Sequence, residues 1–455
     1  MRLGAPDRRP RQGGSRQYAQ GVAGMSGTVT VRGARRASGA PDPRAGASGP
    51  GVVPRPQPRT GRLGPVRLQQ LVLVEAAAAV LLLAYVTEPW LLVPAAVVAA
   101  ALVLVAVVRR RHRPALEWLL AAWGLARRRR SATGSPAAGV DPGFAPAVEC
   151  DPSLRTYRWT GRGGREAGLV GDGTFLSAVL LVQSRDRPLR PGRTARPLPL
   201  DLLYGALEVD GIRLESVQVV QHTQPAPAPH LPGEALAARS YGPLQAGSGA
   251  PAVRLTWVAL KLDPQLCAEA VRARGGGLAG AQRAVVRAAD QLAARLAAAG
   301  FEATLLTEAE LMSAVETASC ANPRAGERAG RADVPARRTR ETARTWRCDD
   351  RWHTTYWVAR WPRLGPGATP APNLVALLTS MPALASTFSL TVGRGPGGGA
   401  ALTGHVRITG RSDGELTAAR RQLERAARGV KVGLVRLDHE QVPGALATLP
   451  LGGTR

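Results

Sequence analysis

Two apolar runs stand out from the alternation of hydrophobic and polar positions along this 455-residue chain. Leu68–Val86 holds a single acid, Glu75, with Gln69 and Gln70 at its start, and Trp90–Val108 holds no charge. Thr87, Glu88 and Pro89 lie between them. Each run is 19 residues long. A helix of that length rises roughly 28 Å, against a hydrocarbon core of about 30 Å. The pattern predicts a transmembrane helical hairpin over residues 68–108. Arg55, Arg59, Arg62 and Arg67 precede it, Arg109, Arg110, Arg111 and Arg113 follow it, and the turn carries only Glu88. Basic residues on both outer flanks predict two passes with both termini in the cytoplasm. Tyr85 and Trp90, beside the turn, suit the membrane interface. A late start and an immediate second run exclude a secretory signal.

Before the hairpin, residues 1–67 are rich in Arg, Pro and Gly and poor in aromatic residues, which predicts a disordered tail; Met25 is an alternative start. After it, residues 109–130 read as a basic juxtamembrane segment with an amphipathic helix. Leu116, Trp118, Leu119, Leu120 and Trp123 run ahead of Arg127, Arg128, Arg129 and Arg130. That composition suits a helix lying in the lipid interface, or one packed on a partner's helix. Residues 131–150 read as a linker.

From Leu154 the pattern turns to strands: Arg155–Trp159, Glu166–Val170, Thr174–Gln183 and Ile212–Gln221, with a helix at Pro199–Leu207. Val253–Leu262 is apolar enough for a central strand. Val285, Ala289, Leu292 and Leu296 share one face of a helix over 281–299. A strand at Phe301–Leu306 follows, and Thr307 with Glu310 forms a capping box. Residues 320–345 are polar and read as a loop. Strands resume at Trp346, then a helix at Asn373–Leu384, strands at Ser386–Gly393 and Leu402–Thr409, a helix at Asp413–Arg428, a strand at Val430–Leu437 and a short final helix. Helix, glycine, strand and capped short helix occur at 281–315 and again at 413–448, each after a Trp-Val-Ala strand (257–259 and 357–359). The reading is an α+β fold: the hairpin, then a cytoplasmic mixed α/β domain of two related halves, 151–319 and 346–455.

The net charge of +27 changes this picture little once it is located. Residues 1–67 carry 13 arginines and two aspartates, and residues 109–130 carry eight arginines and one glutamate. The excess therefore lies beside the hairpin, where it favours anionic lipid. No recognition motif for nucleic acid accompanies it. Only Lys261 and Lys431 are lysines among 60 basic residues, the usage of a very GC-rich genome.

Catalytic patterns are missing: no phosphate-binding loop, no His-Glu-x-x-His helix and no nucleophile elbow. Gly393–Gly398 spells G-x-G-x-x-G, but Pro396 removes an N–H and a strand follows where a phosphate site needs a helix. Arg272 and Arg274 before Gly275–Gly277 could hold an anion at a helix start, or the glycines could simply reverse the chain. Cys150, Cys267, Cys320 and Cys348 form no C-x-x-C, so reduced thiols are expected. Cys348 and His353, placed on one strand, would point to opposite faces. No cofactor or metal is expected. Glu75, an ionisable group within a span, and the segment with Trp346, Trp352, Trp357 and Trp361 are candidate partner contacts. Core packing is the alternative for the tryptophans.

The stretches WVALKLDP and RGGGLAGAQRAVVRAADQLAARLAAAGFEATLLTEAEL, the strand TTYWVARWP and the end VGLVRLDHEQVPGALATLPLGG resemble the EccE family, membrane components of actinobacterial type VII secretion systems. The resemblance covers about residues 66–455 and includes the hairpin-then-domain plan. It implies a non-enzymatic plasma-membrane scaffold subunit, partnered by EccB-, EccC- and EccD-like components, with no energy-coupling site of its own. A membrane-anchored transferase-like enzyme, with the adjacent acids Asp349 and Asp350 in its cleft, is the alternative.

Overall fold

The computed structural model describes residues 66–107, 113–132, 139–184, 197–225, 253–332, 336–362, 371–395 and 399–453, with a few shorter pieces. All of the elements below lie in one compact unit, Gly51–Arg455. The expected tail falls almost wholly outside the described residues, as do Arg111 and, in the glycine loop, Pro396, Gly397 and Gly398.

Two helices form over the expected hairpin, the second shorter than expected. Helix α1 (Leu68–Thr87) and helix α2 (Leu92–Val107) are joined by a tight 3-10 turn at Pro89–Leu91. That turn takes Trp90 and Leu91 out of α2, leaving 16 residues, about 24 Å of rise. Among the described residues no helix is long and apolar enough to cross a membrane, so the two-pass topology read from the sequence is not supported. The helices meet through small residues, with Ala77, Ala84, Ala95 and Ala99 buried. Large apolar side chains point outward: Leu82, Leu83, Val86, Trp90, Val93 and Val97 are each more than 60% exposed.

The domain is built on one large, mainly antiparallel sheet. Its strands are β1 (Arg155–Thr160), β2 (Glu166–Gly171), β3 (Leu176–Ser184), β4 (Ser216–Gln224), β5 (Val253–Leu262), β6 (Phe301–Leu305), β7 (Thr339–Glu341), β8 (Trp346–Cys348), β9 (Arg351–Arg360), β10 (Ala385–Arg394), β11 (Ala400–Gly410) and β12 (Gly433–Arg436). The order is β7-β8-β9-β11-β10-β4-β5-β3-β2-β1, with β6 on β3 and β12 on β9; Arg55–Pro56 also pairs with β11. Among the described residues the helices after the hairpin are α3 (Ala115–Ser131), α4 (Ala145–Cys150), α5 (Leu200–Gly205), α6 (Ala268–Ala273), α7 (Gly277–Ala298), α8 (Glu308–Ser319), α9 (Pro323–Gly330), α10 (Ala371–Thr379), α11 (Asp413–Gly429) and α12 (Gln441–Leu446).

This topology repeats. β3-α5-β4-β5-α7-β6 has the strand order β6-β3-β5-β4, and β9-α10-β10-β11-α11-β12 has the order β12-β9-β11-β10. Each is a βαββαβ unit of the split type. A two-strand meander precedes each, and a short helix follows each. The units join edge to edge, β4 antiparallel to β10 from Ser216↔Gly393 to Thr223↔Ser386. The pairing of 281–315 with 413–448 thus matches equivalent elements, but the Trp-Val-Ala strands do not correspond: Trp257 is on β5, the third strand of its unit, and Trp357 on β9, the first. The expected polar loop over 320–345 instead contains α9 and β7. Asn322 caps α9 by accepting the Arg324 N–H at 3.1 Å, with Pro323 as its first residue.

Both faces of the sheet are covered, so apolar period-2 positions go both ways. Val258, Leu260 and Leu262 of β5 meet α7, whose Val285, Ala289, Leu292 and Leu296 are buried as the spacing predicts. Each such leucine contributes about 1.5–3 kcal/mol. Trp257 and Ala259 face the other layer, with α4, α8 and the C-terminal segment. The α8 capping box forms, with Thr307 N–H on Glu310 Oε2 at 2.8 Å and Glu310 N–H on Thr307 Oγ1 at 3.4 Å.

The C-terminal segment straps the second unit to the first. Ser177 and Ser216 hydroxyls donate to the carbonyls of Leu451 and Gly452 at 2.8 and 2.6 Å. Gln218, fully buried, donates to the Ala447 carbonyl at 2.9 Å and accepts the Gly452 N–H at 2.8 Å. Gly452 has φ +98°, and a Cβ there would stand 2.6 Å from that of Lys261, so only glycine fits. Substituting Gln218→Leu strands one buried donor and one buried acceptor of the strap. A loss of about 2–4 kcal/mol is expected, read as a lower denaturation midpoint of the full chain in detergent.

Candidate functional site

Helix α3 fixes the hairpin to the domain. Its Ala121 and Leu125 are buried, and Arg128 reaches the β7 edge. Arg128 Nε donates to Glu341 Oε2 at 2.8 Å and its Nη2 to Glu341 Oε1 at 3.1 Å, a bidentate charge-assisted pair. The same Nη2 donates to the His439 carbonyl at 2.6 Å, and Arg129 Nε to the Glu341 carbonyl at 3.2 Å. Glu341 Oε1 also accepts the Val442 N–H of α12 at 2.9 Å. Trp118 meets the His439 ring edge-on at 5.3 Å. The Glu341 carboxylate is 5% exposed and Arg128 31%. Arg128, expected on lipid, is therefore engaged with the domain, and Arg129 partly so. Arg127 and Arg130 are exposed, as are Leu119, Leu120 and Trp123 of the same helix. Arg109 and Arg110 pair by backbone with Pro114 and Arg113.

Behind β8–β11 lies a buried polar layer that sequence periodicity did not reveal. Arg407 of β11 is fully buried and donates to the Ala318 carbonyl at the end of α8. Its guanidinium lies 5.8 Å from the Trp346 ring, whose centroid is 4.6 Å from that of His353 with the planes tilted by 41°. Thr409 donates to Cys320 Sγ at 3.7 Å, so His353 Nδ1, 2.9 Å away, donates to Thr409. Gln224 Nε2 likewise donates to His222 Nε2 at 3.0 Å, leaving His222 Nδ1 to donate to Thr387 at 2.9 Å. On β11, His405, Arg407 and Thr409 alternate with Val406 and Ile408, whereas His222 and His353 lie in the polar runs Gln221–Gln224 and His353–Thr355 of β4 and β9.

The tryptophans do not form one surface. Trp346 is 1% exposed and offers nothing to a partner. Trp352 and Trp361 pack against the main core, Trp361 edge-on to Phe388 at 6.5 Å, and Trp352 under Arg347 at 5.3 Å. Trp357 is half-buried and Glu75 exposed on α1. Cys348 and His353 sit on two strands joined by a tight turn at Asp349 (φ +53°), not on one strand. Asp349 accepts two hydrogen bonds from Arg338, both 2.8 Å, and one from the Asn322 N–H, so its carboxylate is structurally engaged. Gly275, Gly276 and Gly277 all take positive φ and turn α6 into α7, where Arg274 donates to the Ala270 and Asp210 carbonyls. That supports chain reversal. Among the described residues no His/Cys/Asp/Glu cluster could hold a metal.

Burial sets the ionisation of the polar layer. It pushes the Cys150 thiol up to about 12 and raises Cys320 and Cys348. Burial, with the Arg407 charge second, pulls His222 down to about 3 and His353 well below its ordinary range; burial alone brings His405 to about 4. Unfolded, these histidines titrate near 6.5. Below that pH protons favour the unfolded chain, so stability is full above 6.5 and falls toward pH 4, by up to about 1.4 kcal/mol per pH unit for each histidine. The thermal midpoint should drop steeply from pH 6.5 to 4.5, and His222→Gln should flatten that slope by about a third.

The latch makes a separate prediction. Glu341→Ala removes the carboxylate that accepts from Arg128 and from the Val442 N–H, leaving Arg128 only the His439 carbonyl. Amide exchange in α3 should rise about tenfold, equivalent to about 1.4 kcal/mol, while β4 and β5 amides stay unchanged.

Comparison with known proteins places part of this architecture. Residues 250–358, from β5 through most of β9, match the family described as "Putative type VII ESX secretion system translocon, EccE". No curated protein matches the chain. The matched residues run from β5 of the first βαββαβ unit into β9 of the second, less than half of the chain, and agree with the resemblance seen in the sequence.

Proposed function

We propose that the chain is a non-catalytic, membrane-associated scaffold subunit of a type VII secretion complex, with its domain on the cytoplasmic side. One observation carries this reading: an outward-facing apolar hairpin is latched to a rigid domain by Arg128 and Glu341. Exposed Leu82, Leu83, Val93 and Val97 bury little of themselves in the chain and suit lipid tails or neighbouring helices. Leu119, Leu120 and Trp123, followed by Arg127 and Arg130, suit an anionic lipid surface. Glu75 on the exposed side of α1, and Trp352, Trp357 and Trp361 as far as they are exposed, are the proposed contacts to EccB-, EccC- or EccD-like subunits. Function then comes from surfaces and from transmitting force or position between hairpin and domain.

The enzyme alternative loses its main residue, because Asp349 is committed to Arg338 and Asn322. Tagged full-length protein should co-purify from its own host, in mild detergent, with an FtsK-like ATPase and multi-span components. Recovery alone, under conditions that preserve other membrane complexes, would contradict the scaffold reading.

A further inference from the structure

The two βαββαβ units treat the outer face of their second helix differently. α7 buries Val285, Ala288, Leu292 and Leu296, and α11 buries Leu416, Ala419, Leu423 and Ala427 at the same spacing. Away from that buried face, each arginine of α7 reaches another segment of the chain. Arg287 Nε donates to Asp210 at 3.1 Å, Arg295 to the Gly205 carbonyl at 3.3 Å, and Arg283 to the Arg274 carbonyl. Asp290, two positions before Leu292, pairs with Arg165 of the β1–β2 turn at 2.6 Å.

Arg421 takes the matching position on α11, two before Leu423. With Arg425 and Arg428 it forms a stripe at i, i+4 and i+7, extended by Lys431, and all four residues are exposed. Arg425 and Arg428 donate to carbonyls of their own helix, those of Arg421 and Glu424, at 3.3 and 3.1 Å. Among the described residues no ion pair joins any of the four to a carboxylate. Glu424, the one acid in this half of the helix, accepts from the Tyr356 hydroxyl at 2.7 Å. The first unit carries a cover that the second lacks. Between α5 and β4 a small hairpin, Glu208–Val209 against Ile212–Arg213, presents Asp210 to Arg287 and Gln291. In the second unit residues 380–384 run directly from α10 to β10, and residues 363–370 ahead of α10 contain no Asp or Glu.

Composition and position decide what fits the stripe. Its exposed neighbours are Ala418, Gln422 and Gly429, with no large apolar group to enter lipid, unlike Leu119, Leu120 and Trp123 of α3. α3 is latched from the side of α12, whereas α11 packs in the layer of α7. No aromatic residue stands among the arginines to stack a base. Guanidinium forks match carboxylates, as Arg165, Arg287 and Arg394 do within the chain. Arg428 and Lys431 also suit the negative end of the helix, but Arg421 and Arg425 lie too far in to gain from it.

We propose that Arg421, Arg425 and Arg428, with Lys431, dock an acidic surface of a neighbouring protein subunit, whose carboxylates do for α11 what Asp210 does for α7. This contact rests on the scaffold reading and assigns it a face of the domain.

Of the two lysines, Lys261 is buried beside Glu215 and Lys431 is exposed, so a carbodiimide, which joins a lysine to a touching carboxylate, reports on the stripe. Tagged full-length protein is cross-linked in membranes of its own host, purified under denaturing conditions and mapped by mass spectrometry. Lys431 should be joined to an Asp or Glu of a different protein. The yield should fall about tenfold when Arg421→Gln, Arg425→Gln and Arg428→Gln are combined. That variant should keep the parent's thermal midpoint, because these guanidiniums hold no other element of the fold. Lys431 left unlinked, or linked only within its own chain, overturns the contact, as does an undiminished yield in the combined variant. So does protection of Lys431 from acetylation when the chain alone is placed in anionic vesicles, which makes the stripe a lipid contact. An unlinked Lys431 in a chain that still co-purifies with its complex removes this contact alone; recovery of the chain by itself removes the scaffold reading as well.

Discussion

The pairing of β4 with β10 holds the domain together. Those two strands are the adjoining edges of two βαββαβ units, and their register from Ser216↔Gly393 to Thr223↔Ser386 turns two small sheets into one. An edge strand left open would expose a row of unpaired N–H and C=O groups. Joined, the units share both helical layers, and the strap at Ala447–Gly452 can run from the second unit onto Ser177, Ser216 and Gln218 of the first. The polar layer depends on the same junction, since His222 of β4 bonds Thr387 of β10 across it.

Elements governed by local chemistry were legible in the sequence. Val253–Leu262 is a strand at its predicted bounds, the face of α7 follows from the spacing of Val285, Ala289, Leu292 and Leu296, and Thr307 with Glu310 forms its capping box. Arrangements made by distant partners were not. Arg128 looks like any arginine of a basic cluster, and only Glu341, 213 positions away, makes it a latch. Arg407 and His405 sit beside apolar residues, and His222 and His353 in short polar runs, on strands buried on both faces, so alternation carries no signal of a polar layer. The 320–345 segment read as a loop because Arg, Ala and Gly obscure periodicity, although Asn322-Pro323 already announced a helix start.

The hairpin and the domain place opposite demands on their surfaces. α1 and α2 meet through alanines and turn their bulky residues outward, as helices do where the surroundings are as apolar as the side chains. The domain buries its apolar residues between helices on both faces of its sheet. α3 belongs to both: its Leu119, Leu120 and Trp123 remain outside, while Arg128 is drawn into a carboxylate that also holds α12. Arg128 thereby joins the helix after the hairpin to the sheet edge through charge-assisted bonds.

The two βαββαβ units form one platform across the β4–β10 pairing. Native-state hydrogen exchange of the full chain, followed residue by residue under rising denaturant, tests it most directly. The platform predicts that amides of β4, β5, β10 and β11 merge into one isotherm and exchange only through global unfolding. If β9–β11 instead open together at lower free energy while β3–β5 stay protected, the units are separable domains and not one platform.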